Sequence, residues 1–157
     1  MKITLLFTGK TKPGYIDQGI SDYSSRINHY ISLEIIDIQD IKKAKGWPQE
    51  KVMEFEGEKI LGRIRPEDYV ILLDERGKQI NSLELAGLLE DKMLQPVKNL
   101  VFVTGGAFGF ARTVYDRANM LLSVSKMTFS HQVIRFLFLE QLYRAFTIIK
   151  GQPYHHG

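Results

Sequence analysis

No cysteine occurs among the 157 residues, and histidine occurs only at His29, His131, His155 and His156. Without thiols there is no disulfide, no thiolate-bound metal and no cysteine nucleophile. So few imidazoles also make a zinc cluster a poor expectation, and no metal is expected. Long apolar runs are missing as well. Met1 leads into KITLLFTGK, too short for the apolar core of a secretory signal, and nothing approaches the roughly 20 residues of a membrane span. The reading is a soluble, cytoplasmic chain with no membrane partner. Repeats, low-complexity segments and Gly/Ser/Pro-rich linkers are absent too, so residues 1–157 are read as one domain.

Charge is present but uneven. Residues 110–157 carry Arg112, Arg117, Lys126, Arg135, Arg144 and Lys150 against only Asp116 and Glu140, while the whole chain has a net charge of +3. The excess therefore lies entirely in the last third, beside three of the four histidines. Such an end suits a polyanion such as nucleic acid; a solvated surface with a chance surplus is the plain alternative.

The hydrophobic pattern alternates between strand and helix along the chain. Lys2–Thr8 reads as a strand closed by Gly9 and the KTKPG turn, and Leu33–Ile38 as a second. Tyr69–Asp74 and Leu100–Thr104 are nearly all apolar, as strands buried on both faces are. Leu121–Ser125 makes a fifth. Between them Ile16, Ile20, Tyr23, Ile27 and Tyr30 recur at helical spacing. Pro48 suits a first helical turn, and Ser82 is placed to cap a helix through Met93. A short helix is expected near Ala111–Asn119, and Ser130 is expected to open a last one reaching Lys150. The fold class that follows is α/β: a mostly parallel sheet with helices on both faces. The last helix is apolar around its whole circumference, from Val133 to Ile149, so it needs cover on every side. A second copy of the chain would supply it; a helix sunk in one monomer's core is the other possibility.

Thr104-Gly105-Gly106-Ala107-Phe108-Gly109 joins a buried strand to a helix. Glycine there lets a ligand approach the backbone closely. A dinucleotide loop is disfavoured on three counts. The spacing is G-G-x-x-G, the loop follows the fourth strand rather than the first, and Val124, Ser125 and Lys126 stand where an acid should bind the ribose.

Four segments in this order, LLDERGK (72–78), VTGGAFG (103–109), SVSKMTFSHQVIR (123–135) and LEQLYRAF with a terminal PYHHG (139–146 and 153–157), resemble the ribosomal RNA large subunit methyltransferase H family of the SPOUT class. The resemblance covers essentially the whole chain; His156 and Gly157 depart from the usual ending. It implies a C-terminal trefoil knot within residues 70–157, S-adenosylmethionine as cofactor, and a homodimer acting on assembled ribosomes. The implied reaction is methylation of N3 of pseudouridine 1915 in 23S rRNA. By the same resemblance the cofactor contacts are Leu73, Gly105, Val124, Ser125, Lys126, Met127, Thr128 and Phe129. His131, Arg135 and His155 are candidate catalytic residues, while Arg144 and Tyr154, with Tyr143 beside them, are candidates for RNA binding.

These residue types suit that chemistry. S-adenosylmethionine carries no phosphate, so close backbone, apolar walls and hydroxyls serve it better than a basic cradle. Leu73, Val124 and Phe129 equally suit an ordinary core. With no thiol to activate a pyrimidine ring for methylation at carbon, a nitrogen or oxygen target fits better. His131 and His155 are the region's bases near neutral pH, and the dipole at a helix start favours the neutral form of His131. Arg135 follows His131 by one turn, so the pair could grip a phosphate. Arg144 lies across the wheel from Arg135, either paired with Glu140 or serving a partner's site. Tyr154 could stack on a base or simply pack. A non-catalytic, ribosome-binding dimer of the same fold stays open at this point.

Overall fold

The computed structural model describes residues 1–39 and 45–154. The chain runs β1 (Lys2–Thr8), α1 (Tyr15–Ile27), β2 (Leu33–Ile38), α2 (Gln49–Leu61), β3 (Tyr69–Gln79) and α3 (Ser82–Leu94). It continues through β4 (Asn99–Thr104), α4 (Arg112–Arg117), β5 (Met120–Ser123) and α5 (Val133–Ile149). All five strands pair in parallel, in the order β2-β1-β4-β3-β5. This is the doubly covered α/β sheet expected from the sequence.

Strand periodicity explains the two layers, because successive side chains point to opposite faces. Ile3, Leu5, Phe7, Ile71, Leu100 and Phe102 face one way, into a core shared with residues of α1, α3 and α5. Leu6, Val70, Leu72, Val101 and Val103 face the other, against Ile60 of α2 and Val114 of α4. Strand β4 and the first half of β3 are buried on both faces, which is why they read as nearly unbroken apolar runs.

β5 spans Met120–Ser123 rather than Leu121–Ser125, and α5 opens at Val133 rather than Ser130; two other boundaries differ from expectation for local reasons. Asn81, not Ser82, caps α3: its side chain accepts from the Glu84 backbone N–H at 2.9 Å, and Glu84 accepts from the Asn81 N–H at 2.7 Å. That reciprocal capping box displaces the cap by one residue. Strand β3 runs five residues past Asp74, with its register to β5 shifting between Leu73 and Lys78. The added residues are mostly polar and exposed, so no apolar signal marks them. Gly77 permits the close pass: a Cβ there would lie 2.5 Å from the Leu122 backbone nitrogen. Substitution at Gly77 would therefore push β3 and β5 apart.

The last helix finds most of its cover inside the chain. Phe138, Leu139, Leu142, Ala145 and Phe146 are buried, with the Phe138 ring 4.7 Å from that of Phe102. Helices α1 and α3 flank it. Ten of its residues stay half-buried, and among them Val133, Leu137, Glu140, Gln141, Arg144 and Ile148 form an outer stripe. Among the described residues, no helix is long and apolar enough to cross a membrane, and no three His, Asp or Glu side chains are grouped to hold a metal.

Candidate active site

In parallel sheets the crevice for ligands lies beyond the carboxyl ends of the strands. Here β4 and β5 end, and β3 passes, around one cavity of about 790 Å³. Its walls are Leu73–Arg76 in the middle of β3, Thr104–Phe110 from the end of β4, and Ser123–Ile134 except Lys126, Gln132 and Val133 from the end of β5, with Gln49 and Tyr115 completing them. A ligand of small-molecule size fits such a volume.

The glycine loop is shaped by its residues. Gly109 takes φ of 85° and donates its N–H to the Gly106 carbonyl at 3.2 Å, closing a tight turn that a side chain at Gly109 would strain. A Cβ at Gly106 would sit 2.5 Å from Glu56 Oε2 on α2, so a side chain there would make the Glu56 carboxylate shift. The opposite wall is held by serines. Ser123 Oγ donates to the Ser125 carbonyl, and Ser125 Oγ accepts from the Met127 N–H, both at 2.9 Å. Two exposed apolar side chains, Phe108 and Met127, flank the mouth.

Of the eight expected cofactor contacts, Leu73, Gly105, Val124, Ser125, Met127, Thr128 and Phe129 line this one cavity; Lys126 is exposed and not among its walls. His131 lines it too. Arg135 does not. It is fully buried beneath the site, donating to the Thr8 carbonyl at 2.6 Å and to Thr11 Oγ1 at 2.8 Å, with its guanidinium 5.2 Å from the Phe7 ring centre. A joint grip by His131 and Arg135 on one phosphate is thus not what this fold builds, because the helix turns Arg135 inward.

Arg144 and Tyr154 form a second group away from the cavity. Arg144 pairs with Glu140 at 2.6 Å, and the Tyr154 hydroxyl meets Glu140 at 3.2 Å and Tyr23 at 3.1 Å. Tyr143 packs edge-on against Tyr154 and Tyr23. The hydrogen bond to Tyr23, then burial and the Glu140 charge, hold the Tyr154 hydroxyl well above its ordinary pKa. The expected candidate His155 lies outside the described residues.

One network was missed from sequence. Asp74, in the middle of β3, accepts from the Arg76 backbone N–H at 2.9 Å and from Arg76 Nε at 3.1 Å. Tyr115 of α4 donates to the same carboxylate and also meets Arg76. Asp74 and Arg76 belong to the LLDERGK segment, but nothing in the pattern singled out Tyr115, 41 residues from Asp74. Burial opposes ionisation of Asp74, yet hydrogen bonds from Arg76 and Tyr115 outweigh it and hold the carboxyl below its ordinary value of 3.8. Burial, then the hydrogen bond and charge of Asp74, push the Tyr115 hydroxyl up to about 12. The Asp74 contribution to stability is present above its ordinary value and lost as pH falls through the lowered one. The Tyr115 contribution is complete below about 10 and lost as pH rises towards about 12. Both therefore persist through the neutral range. Phenolate absorbance, compared between the wild type and Tyr115→Phe, should show Tyr115 titrating late; ordinary titration would contradict the network.

A family model described as "Predicted SPOUT methyltransferase" matches residues 1–155. That match makes the chain a SPOUT methyltransferase, an enzyme with S-adenosylmethionine as its cofactor. The curated relatives named ribosomal RNA large subunit methyltransferase H are 49% identical in Parabacteroides distasonis, 46% in Bacteroides fragilis and 44% in Porphyromonas gingivalis. Each aligns over 156 residues, 99% of this chain and 99% of the relative. The chain belongs to the ribosomal RNA large subunit methyltransferase H family. Among solved structures, a probable methylase family protein from Haemophilus influenzae aligns with 95% of this chain and 66% of its own, at 14% identity and a TM-score of 0.49.

The cavity fits the cofactor. Glycine backbone at Gly105 and Gly106, apolar Leu73, Val124 and Phe129, and the hydroxyls of Ser125 and Thr128 match a nucleoside carrying a short amino-acid chain. Arg76 on the cavity wall is engaged by Asp74, which suits a ligand without phosphate.

Proposed function

We propose that this chain is a 23S rRNA methyltransferase that modifies N3 of pseudouridine 1915 on assembled ribosomes, working as a cytoplasmic homodimer. The observation that carries this reading is the end-to-end likeness to relatives named for large-subunit rRNA methylation. The lack of any cysteine supports a ring nitrogen over a ring carbon as the target.

When bound, S-adenosylmethionine supplies a methyl group made electrophilic by its sulfonium. Leu73, Gly105, Val124, Ser125, Met127, Thr128 and Phe129 hold it. His131, on the same cavity wall, accepts the N3 proton or orients the base that loses it. Arg135 positions the turn that carries His131. The outer stripe of α5 meets its counterpart across a two-fold axis, bringing Arg144, Tyr154 and His155 of one protomer towards the cavity of the other. The C-terminal trefoil knot belongs to this same reading.

Ribosomes from cells lacking the enzyme, incubated with the protein and methyl-labelled cofactor, should gain about one methyl group per large subunit, at a pseudouridine. Ribosome binding without transfer would instead favour a non-catalytic dimer, and labelling at another nucleotide would overturn the target.

A further inference from the structure

The turn KTKPG after β1 plays no part in the site described so far, yet the structure fastens it to the residues beside His131. Gln132 does most of this. Its Nε2 donates to the Lys10 carbonyl at 3.1 Å, and its Oε1 accepts from the Lys12 N–H at 3.0 Å. Arg135, one turn later, reaches the Thr8 carbonyl and Thr11 Oγ1. Four hydrogen bonds from the start of α5 thus hold Thr8 at the end of β1 and Lys10, Thr11 and Lys12 of the loop. Positive φ at Gly9 and Gly14, 85° and 134°, bounds the segment, and Pro13 restricts its backbone further.

What this arrangement presents is charge. Lys10 and Lys12 are exposed while Thr11 between them turns inward to Arg135. Lys10 shares a groove with Asp17 and Asp37, whereas Lys12 is not among that groove's walls. Lys12 is therefore the cation held outward, on a backbone tied directly to the residue following His131. A flexible basic loop would lose entropy on gripping a ligand; this one is already ordered.

We infer that the β1–α1 loop is a preorganised phosphate contact for the RNA substrate, with Lys12 touching the backbone near the target nucleotide and Gln132 as the residue that positions it. Phosphate contacts set register rather than read sequence, which is what a small enzyme needs to present one nucleotide to its cofactor. The inference rests on the RNA-methyltransferase reading above.

The test measures ribosome binding and ribosome methylation by wild type, Lys12→Ala, Lys12→Arg and Gln132→Ala over a range of KCl concentrations, with cofactor calorimetry and melting curves as controls. Lys12→Ala should raise the KM for ribosomes several-fold and make the plot of log binding constant against log salt shallower by about 0.7–0.9, the loss of one phosphate contact. Lys12→Arg should restore both. Gln132→Ala should raise KM in the same way although every charge is kept. Cofactor affinity should hold throughout. An unchanged salt slope in Lys12→Ala overturns the inference, even where wild-type methylation is normal. A reduced slope with no methylation by the wild type would keep the phosphate contact and reject the function proposed above.

Discussion

Arg135→Ala should lower the unfolding free energy by about 3–5 kcal/mol, through loss of a large buried side chain and stranding of its polar partners. The guanidinium is fully buried and holds the Thr8 carbonyl and Thr11 Oγ1 while lying over Phe7. Removing it leaves a cavity between the start of α5 and the end of β1, and leaves a buried carbonyl without its donor. Arg135→Lys should recover only part of the loss, because one ammonium cannot reproduce the two-pronged geometry. Denaturant unfolding checks this. A stability change under about 1 kcal/mol, combined with lost methyl transfer, would return Arg135 to the substrate side.

His131→Ala should behave in the opposite way. The residue lines the cavity at the edge of α5 and is only half-buried, so melting should be nearly unchanged. Methyl transfer should fall by roughly 10²–10⁴-fold, the usual contribution of a group that handles a proton in the transition state. The loss should appear in kcat, with cofactor affinity kept. A normal rate in His131→Ala would move proton removal to another group.

Much of this layout was legible because it depends on periodicity. Apolar runs such as Leu100–Thr104 can only be strands covered on both sides, and their alternation with helices leaves a parallel sheet as the economical fold. The gathering of Leu73, Gly105 and the loop after β5 followed from the family resemblance, and the strand order explains it: β3 lies between β4 and β5, so their ends share a crevice. Direction was harder to read. A helical wheel puts Arg135 near His131 but cannot say that α5 presses that arginine onto β1. It also could not tell cover by a second copy from cover by α1 and α3, which flank the helix. Tyr115 escaped notice because its link to Asp74 is made by the fold, across 41 residues, with no spacing rule to reveal it.

The most direct measurement is a titration with S-adenosylmethionine followed at each backbone amide by NMR. Shifts should concentrate at Leu73–Arg76, Thr104–Gly109 and Ser123–His131, the three walls of the cavity. The groove between Lys10 and Ser24 should stay quiet. Shifts centred on that groove, with the glycine loop unmoved, would contradict the account.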